Sequence, residues 1–230
     1  MLSSFCIIPV RGGSKGIPRK NLVPFHGVSL LEWTIMQAKS VYASDNVFVS
    51  TEDEELAQVA ENCRVRLVNR PAALAQDDST TNSVVEHLLG VIDPRGDQYH
   101  HFTILQVTSP LRTAEDVSKA EALMSSGEYD SVISAFHEDE AHPAKMYILR
   151  DGQAESVAPT MQHTRRQDLP KAYRRNGAIF VCTRDFFDRT GLLWGGRLGL
   201  VEMPRCRSVD IDTPGDLERA QRTYEECRTR

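Results

Sequence analysis

The sequence predicts an α/β protein with a mainly parallel sheet, and three observations indicate this fold class. Short β-rich apolar runs alternate along the chain with amphipathic windows of helical period. Helix-capping residues stand at several of the junctions between them. The 230 residues are near the size at which one domain still encloses one core. Alternating strands and helices are typical of a parallel sheet covered by helices.

The predicted elements follow one another from the N-terminus. Strands are expected in "FCIIPV", "NVFVS", "VRLV" and "FTILQ", and helices in "SLLEWTIMQAKSV", "EDEELAQVAENC" and "STTNSVVEHLLGVI". After residue 175 we expect strands in "NGAIFVC" and "LGLVEM" and a closing helix in "TPGDLERAQRTYEECRTR". Helix caps are expected at Ser29, Thr51 and Thr213, which precede Glu32, Glu54 and Asp216 at capping-box spacing.

Residues 137–175 interrupt this alternation with charges, prolines and short strand-like pieces. Within them, "KMYILRDGQAESV" has two half-strands around an Asp-Gly turn signal, which predicts a β-hairpin. We therefore interpret residues 1–230 as a single domain and residues 137–175 as an inserted arm. An arm without its own core needs a surface against which to bury its apolar face. We expect that surface on a second subunit, in a homodimer.

Composition limits the classes of partner and the compartment. The net charge of -5 and the pI near 5.8 argue against a nucleic-acid or anionic-membrane binder, which would be basic. The five cysteines are odd in number and lack metal-ligand spacing, so we expect reduced thiols and a cytoplasmic protein. The apolar run from Phe5 to Val10 contains Pro9 and is followed by Arg11, so neither a signal peptide nor a membrane span is expected.

A glycine-rich cationic stretch, "RGGSKGIPRKN" at residues 11–21, leaves the C-terminal end of the first predicted strand. Open α/β sheets hold their ligands at this end. The three glycines permit close approach of the backbone to a ligand, and the four cationic side chains offer charge to a polyphosphate. The spacing matches neither the dinucleotide fingerprint nor the Walker P-loop. The alternative interpretation is a flexible connector with solvated charges.

Two aspartates, Asp210 and Asp212, lie two residues apart in "VDIDTPGD" and so face the same side of an extended chain. Two carboxylates just before a capped helix suit Mg²⁺, which commonly takes one or two carboxylates together with phosphate oxygens. With the cationic loop, the pair indicates phosphoryl or nucleotidyl transfer. The alternative is that one aspartate caps a turn and the other is solvated.

Six motifs are spread over nearly the whole chain. They are "IIPVRGGSKGIPRKN", "NRPAALAQDDSTT", "LQVTSPLR", "HPAKM", "RQDLPKAYRRNGAIF" and "VDIDTPGDL". In this order they resemble the N-acylneuraminate cytidylyltransferase family, the enzymes that make CMP-sialic acid and other CMP-nonulosonates. The related Kdo cytidylyltransferases have a nucleotide loop without the Gly-Gly-Ser-Lys element, so the resemblance favours a nine-carbon acid.

The resemblance implies a three-layer α/β/α, Rossmann-like nucleotidyltransferase fold with a small inserted dimerisation arm. It also implies a reaction between CTP and a nonulosonic acid, in which the C2 hydroxyl attacks the α-phosphorus and pyrophosphate leaves. Such chemistry needs charge neutralised on the leaving group, a metal at the α-phosphate and a hydroxyl held in line. The implied cofactor is Mg²⁺.

The resemblance also implies a role for individual residues. Those implied to bind CTP are Arg11, Gly12, Gly13, Ser14, Lys15, Lys20, Asn21, Arg70, Thr80 and Thr81. Those implied to bind the sugar acid are Gln106, Lys145, Arg166, Arg174, Asn176, Gly177 and Phe180, with Arg166 supplied by the arm of a second subunit. Those implied to hold Mg²⁺ are Asp210 and Asp212. The implied catalytic residues are Lys20 and Arg11 for phosphate charge and Asp212 for the proton of the attacking hydroxyl.

Three positions depart from the family pattern. Val107 and Arg175 stand where proline is common, and Phe180 stands where tyrosine is often found. These departures leave the acid open among N-acetylneuraminate, legionaminate, pseudaminate and ketodeoxynonulosonate. Capping is the alternative role for Thr80, because either Ser79 or Thr80 could start the following helix.

The histidines are interpreted as structural or surface groups. His137 and His142 lie in the proline-containing arm, where they are expected at the surface or at an interface. His100 and His101 are expected in a loop before a strand.

Two other functions stay open. One is a nucleotidyltransferase of the same broad fold that acts on a sugar or polyol phosphate, and the acceptor would distinguish it. The other is a non-catalytic nucleotide-binding protein, which would bind CTP without turnover.

Overall fold

The computed structural model describes residues 3–228, and their elements are as follows. The strands are β1 (Ser3–Pro9), β2 (Pro24–Phe25), β3 (Val28–Ser29), β4 (Val47–Thr51), β5 (Arg66–Asn69), β6 (Tyr99–Leu105), β7 (Ser131–His137), β8 (Tyr147–Arg150), β9 (Gln153–Ser156), β10 (Tyr173–Thr183) and β11 (Leu198–Glu202). The α-helices are α1 (Leu30–Lys39), α2 (Glu54–Asn62), α3 (Thr81–Ile92), α4 (Ala114–Ser125), α5 (Arg184–Thr190) and α6 (Pro214–Arg228).

A seven-stranded sheet forms the centre, with the strand order β11-β7-β10-β6-β1-β4-β5. β1 is parallel to both of its neighbours, β4 and β6. β10 is the exception, because it runs antiparallel to β6 and β7. The mainly parallel sheet predicted from the alternation of strands and helices is therefore confirmed.

Two apolar clusters cover the two faces of this sheet. Ile8 and Val49 belong to the cluster that includes residues of α1, α2, α4 and α6. Ile7 and Phe48 point the other way, into the cluster that includes residues of α3 and α5. Because successive strand residues alternate between faces and both are apolar here, each central strand is buried on both sides. The three-layer arrangement is confirmed.

Two of the three expected helix caps are present. The Ser29 hydroxyl accepts a hydrogen bond from the Glu32 amide at 3.1 Å. Thr213 and Asp216 cap each other at the start of α6, through bonds of 2.9 and 3.3 Å between each amide and the other side chain.

The expected cap at Thr51 is wrong. Thr51 is the last residue of β4, and the chain stays extended through it. Asp53 is the N-cap of α2 instead, and its carboxylate accepts from the Leu56 amide at 3.1 Å. The helix cap therefore lies two residues later than the sequence spacing suggested.

The placement of His100 and His101 in a loop is also wrong, because both lie in β6. Tyr99 starts this strand and packs on Phe5 with ring centroids 4.4 Å apart. His101 is buried, and its Nε2 lies 2.8 Å from Glu121 Oε2 in α4. β6 therefore begins earlier than predicted and includes both histidines, of which His100 is exposed and His101 is buried.

The segment between β7 and β10 leaves the main sheet and carries the hairpin of β8 and β9. Asp151 and Gly152 form its turn with φ angles of 49° and 80°, the left-handed conformations that an Asp-Gly hairpin turn requires. Tyr147 and Leu149 are exposed on it, Leu149 to 74%. The hairpin is present as predicted, while its role in a dimer stays a prediction. No helix within residues 3–228 has the length and apolar character needed to cross a bilayer.

Candidate functional site

A cleft of about 490 Å³ opens where β1, β5 and β6 end, and most of the predicted nucleotide-site residues line it. These residues are Arg11, Ser14, Lys15, Lys20, Asn21, Arg70, Thr80 and Thr81. Gln106, predicted for the acid, and Asp212, predicted for the metal, line the same cleft. Gly12 and Gly13 lie in the loop at its edge without lining it. The topology thus brings residues from both ends of the chain to one place.

The glycine-rich loop rests on the corner between β4 and α2. The Gly12 amide donates to Glu52 Oε1 at 2.8 Å. A Cβ on Gly12 would lie 2.3 Å from Asp53 Oδ2, so no larger residue fits here without movement. The first glycine therefore serves the close packing of the loop against the protein.

Gly16 has a similar role on the other side of the loop. A Cβ at this position would lie 2.0 Å from the carbonyl oxygen of Asp212, a contact with backbone that cannot rotate away. A Cβ on Gly13 would meet nothing within 4 Å. The lack of a side chain at Gly16 allows the loop to pass directly beside the acidic segment.

Arg19 is not among the cations that line the cleft. It has a left-handed backbone conformation, with φ of 54°, and its guanidinium donates to Asp53 at 2.9 Å and to Glu55 at 2.7 Å. The bond from Arg19 lowers the pKa of Asp53 below its usual range. The charge of Arg19 is thus used within the protein, and the proposal that all four loop cations face a polyphosphate needs this correction.

Arg70 and Asn21 line the cleft and also brace its walls. Arg70 is buried, and its Nη2 donates to Glu52 Oε2 at 2.6 Å and to the carbonyl of Val10. Asn21 Nδ2 donates to the carbonyl of Arg11 at 2.9 Å. Together these bonds fix the end of β1 from which the loop departs.

Lys20 joins the loop to the acidic segment. Its Nζ donates to the carbonyl of Ile211 at 2.8 Å and to Asp212 Oδ1 at 3.1 Å. Val209 and Ile211 are buried while Asp210 and Asp212 are exposed, so the two carboxylates share a side as the spacing predicted. Ile211 donates its amide to the carbonyl of Thr108 at 2.8 Å, which holds this segment beside the end of β6.

The two carboxylates repel each other. Loss of hydration raises the pKa of Asp210, and the charge of Asp212 raises it further, while a hydrogen bond from Thr108 opposes the change. A cation would relieve this repulsion, and hard carboxylate oxygens suit Mg²⁺. Within residues 3–228 no group of three or more His, Cys, Asp or Glu is arranged to hold a metal. A Mg²⁺ ion at this pair would therefore take its other ligands from phosphate oxygens and water.

A second cleft, of about 540 Å³, adjoins the first at Asp212, which lines both. Arg174, Asn176 and Asp210 line it, as the resemblance implied. Its other charged lining residues are Arg175, Arg205, Asp216 and Arg219. This cleft is strongly cationic on one wall, and the carboxylate pair forms its boundary with the first cleft.

Asn176 is buried, and its amide group is fully used inside the protein. Its Oδ1 accepts from the Ser134 hydroxyl at 2.6 Å, and its Nδ2 donates to the Ser208 hydroxyl at 2.9 Å. Gly177, with φ of 75°, follows at an irregularity in the pairing of β10 with β7. Asn176 therefore shapes the wall of the second cleft, and Gly177 permits the bend.

Arg112 is a residue that the sequence interpretation missed. It is only 1% exposed, and its Nη1 donates to the carbonyls of Gln106 at 2.7 Å and Ala178 at 2.9 Å. Burial lowers its pKa to about 10. It ties the end of β6 to the bend in β10. Its presence in the motif "LQVTSPLR" was the available signal.

Phe180 lies in neither cleft. Its ring packs on Trp194, with centroids 5.4 Å apart, in the cluster that covers the α3 and α5 face of the sheet. The guanidinium of Arg175 lies 4.0 Å from the centroid of Trp194. Phe180 therefore packs in the core on this face of the sheet and does not line the cleft in which the resemblance implied a contact with the acid.

Lys145 and Arg166 line a separate cleft of about 410 Å³ at the base of the arm. Lys145 Nζ donates to the carbonyls of Gln162 and Thr164, and Arg166 donates to the carbonyl of Asp139 at 3.1 Å. Within one chain these two cations are not brought to either of the clefts that meet at Asp212.

Thr80 performs the structural role that was left open for it. Its hydroxyl accepts from the Ser83 amide at 3.2 Å and caps α3. Asp77 also lines the first cleft, and the sequence analysis gave it no role. Its carboxylate lies 2.9 Å from Arg11 Nη1 and 2.8 Å from Lys15 Nζ.

Comparison with known proteins gives a consistent result. A profile of the family described as Cytidylyltransferase matches residues 5–191. The N-acylneuraminate cytidylyltransferase of Streptococcus agalactiae serotype V is 32% identical over 219 residues, which are 94% of this chain and 52% of that protein. The chain thus spans about half the length of this relative. The pseudaminic acid cytidylyltransferase of Campylobacter jejuni subsp. jejuni serotype O:2 is 28% identical, and 97% of each chain is covered.

Solved structures share the fold at low sequence identity. A CMP:2-keto-3-deoxy-manno-octonic acid synthetase complexed with CTP superposes with a TM-score of 0.73 and 16% identity, and covers 97% of this chain and 99% of its own. The 4-diphosphocytidyl-2C-methyl-D-erythritol synthase of Anaerococcus prevotii gives a TM-score of 0.69 at 13% identity, with 97% of this chain and 96% of its own covered.

Proposed function

Because this chain belongs to the cytidylyltransferase family, we propose that it transfers CMP from CTP to the C2 hydroxyl of a nonulosonic acid and releases pyrophosphate. The observation that carries this proposal is the meeting of two clefts at Asp212. One cleft has the cations that a triphosphate needs, and the other has the arginines that suit a carboxylate. The relatives that act on N-acylneuraminate and pseudaminic acid support the class of acceptor.

The first cleft holds CTP. Arg11, Lys15 and Lys20, which line it, neutralise the phosphates, and Thr80 and Thr81, which also line it, bind the cytidine. As the bond between the α- and β-phosphates breaks, negative charge develops on the leaving pyrophosphate. Lys20 is fixed by Ile211 and Asp212, so its ammonium group is preorganised to stabilise that charge.

Asp210 and Asp212 would hold the Mg²⁺, which would draw charge from the phosphate oxygens and make the α-phosphorus more electrophilic. Burial raises the pKa of Asp210 and the charge of Asp212 raises it further, and a bound cation would offset both effects. In the transfer step the C2 oxygen forms its bond to the α-phosphorus and pyrophosphate leaves. Asp212, which faces both clefts, accepts the proton of the C2 hydroxyl.

The second cleft holds the acid. Arg174 supplies a planar fork of donors for the substrate carboxylate, and Gln106, at the end of β6, contacts the acid from the first cleft. Asn176 and Arg112 position the wall, because their hydrogen bonds are made to the protein. Phe180 is assigned a packing role in this proposal.

The enzyme acts as a homodimer, in which Lys145 and Arg166 of one arm reach the second cleft of the other subunit. Support comes from the exposed apolar side chains of the hairpin and from the distance of these cations from their own chain's clefts. A second copy would bury the hairpin and complete the acid site at once. We also place the reaction in the cytoplasm, which suits the free cysteines at positions 6, 63, 182, 206 and 227.

The test is Mg²⁺-dependent pyrophosphate release with each of the four common nucleoside triphosphates. Each is combined with a panel of nonulosonic acids, Kdo and sugar or polyol phosphates. We expect release with CTP and one or more nonulosonic acids. Release with a phosphate ester instead would assign the chain to a different transferase, and tight CTP binding without turnover on any acceptor would indicate a binding protein.

A further inference from the structure

Asp77 makes the contacts that a phosphate group of CTP would make. Its Oδ1 lies 2.9 Å from Arg11 Nη1, and its Oδ2 lies 2.8 Å from Lys15 Nζ. All three residues line the first cleft. One carboxylate therefore neutralises two of the cations to which the triphosphate is assigned under the proposed function. A phosphate cannot pair fully with these cations while Asp77 stays between them.

The segment that carries Asp77 is held mainly by itself. Local bonds, such as those from the Ser79 amide to the carbonyl of Gln76 and from the Ala75 amide to Ala72, fold it into short turns. Its contacts with the glycine-rich loop, among residues 3–228, are those made by Arg11 and Lys15. Asp77 can thus withdraw without breaking the structure around it.

The contacts of Asp77 are also weak enough to exchange. The side chains of Lys15 and Asp77 are 79% and 53% exposed. Ion pairs between exposed groups are screened by water and salt and contribute little to stability. The attraction of Lys15 and Arg11 lowers the pKa of Asp77, which keeps it ionised at neutral pH. The Asp77 carboxylate is therefore charged at neutral pH, and a competing anion can displace it from Arg11 and Lys15.

We propose that Asp77 competes with polyphosphates for Arg11 and Lys15 and thereby promotes the departure of pyrophosphate. This inference rests on the proposed function. A ligand that needs both cations binds only to the fraction of molecules in which Asp77 has withdrawn, so its apparent affinity falls by that fraction. The factor is the same for CTP and for pyrophosphate, but CTP also has its nucleoside contacts, whereas pyrophosphate has none. Asp77 therefore lowers the affinity for both, and pyrophosphate, whose binding depends more on the two cations, is retained less.

Asp78 provides a matched control for the experiment. It is adjacent and exposed, and it has no hydrogen bond or ion pair within the described part of the chain. The variants D77N and D78N remove the same charge from the same loop. Binding of CTP, pyrophosphate and cytidine to the wild type and to both variants is measured by titration calorimetry at one Mg²⁺ and salt concentration.

We expect D77N to bind pyrophosphate and CTP about fivefold more tightly, as the loss of two exposed ion pairs would allow. Cytidine, which does not need the two cations, should bind with unchanged affinity, and D78N should match the wild type. In turnover, D77N should show a lower KM for CTP and stronger inhibition by added pyrophosphate. The gain in affinity should shrink as salt is raised.

Two results separate this inference from the proposed function. Tighter pyrophosphate binding by D77N in a protein that turns over no acceptor would support the role of Asp77 and refute the function. Normal turnover with equal pyrophosphate affinities for D77N and D78N would refute the role of Asp77 and leave the function intact. Weaker pyrophosphate binding by D77N would also refute it, since it would show that Asp77 assists the phosphate.

Discussion

Charged side chains near the two clefts divide into those that brace the protein and those left to face a ligand. Arg19 and Arg70 are held by carboxylates of the corner between β4 and α2, whereas Lys15 pairs, among residues 3–228, only with the exposed Asp77. Sequence motifs identified which cations gather at the site. They did not show which of them are already paired, because the pairing partners come from another part of the fold.

Glycines of the loop provide a direct test at this scale. In the variant G16A the new Cβ would lie 2.0 Å from the Asp212 carbonyl oxygen, so the loop or the acidic segment must move. We expect a loss of about 1–3 kcal/mol in the free energy of unfolding and about tenfold weaker CTP binding. G13A, where the added methyl meets nothing within 4 Å, is the control. Urea unfolding and calorimetry measure both, and equal behaviour of the two variants would contradict the packing argument.

Asp212 is the residue on which the proposed chemistry depends most. The variant D212N keeps the volume but removes a metal ligand and the proton acceptor, so kcat should fall at least about 100-fold. Its melting temperature should change little, since the side chain is 71% exposed. E218Q removes an exposed carboxylate from α6 and should retain the wild-type kcat. A near-normal Mg²⁺-dependent rate for D212N would exclude the assigned role.

At the scale of elements, the order of strands and helices was predictable where the hydrophobic period was clear. The sequence analysis did not identify α4, β7 and α5, and for β7 there is a physical reason. β7 is buried along nearly its whole length, so it lacks the alternation that marks a half-exposed strand. The antiparallel direction of β10 could not be predicted either, because the residue pattern of a buried strand is the same in both directions.

The packing of β6 on α4 gives a prediction for stability against pH. Glu121 of α4 accepts hydrogen bonds from the hydroxyls of Tyr42 and Thr103, both at 2.6 Å, and lies beside His101. Burial raises the pKa of Glu121, but these partners outweigh burial, and the pKa is lowered overall. A carboxylate with a lowered pKa stabilises the fold above its ordinary pKa, and this contribution is lost as the pH falls through the folded value.

The variant E121Q should therefore be about 2 kcal/mol less stable than the wild type at pH 7. The difference should narrow as the pH falls below the ordinary glutamate pKa of about 4.3 and should vanish once the pH has passed below the lowered pKa of Glu121 in the folded protein. E128Q, which alters an exposed side chain just after α4, is the control. Urea midpoints across this pH range provide the measurement, and a constant difference between E121Q and the wild type would contradict the linkage.

At the scale of the whole molecule, the proposed homodimer predicts that a second copy completes the acid site. Leu149 is 74% exposed at the hairpin, and the variant L149E should destabilise an interface there. We expect a shift from dimer to monomer in sedimentation analysis, together with at least a tenfold rise in the KM for the acid. The KM for CTP should not change, because the residues to which CTP binding is assigned all come from one chain.

Leu192, exposed to 52% outside the hairpin, offers the matched control. L192E introduces the same charge and should keep both the dimer and the KM for the acid. A wild-type protein that is monomeric and fully active would show that the arm has another role. A monomeric L149E with an unchanged KM for the acid would show that Lys145 and Arg166 are not supplied across an interface.

The contact between Lys20 and Asp212 joins positions that are 192 residues apart in the chain. During synthesis on the ribosome, the glycine-rich loop emerges early, long before the acidic segment that it must meet. A nascent chain that has made residues 5–191, the region matched by the family profile, still lacks both carboxylates. Under the proposed function, the site is therefore complete only once the N-terminal loop has closed on residues 210–212, late in synthesis.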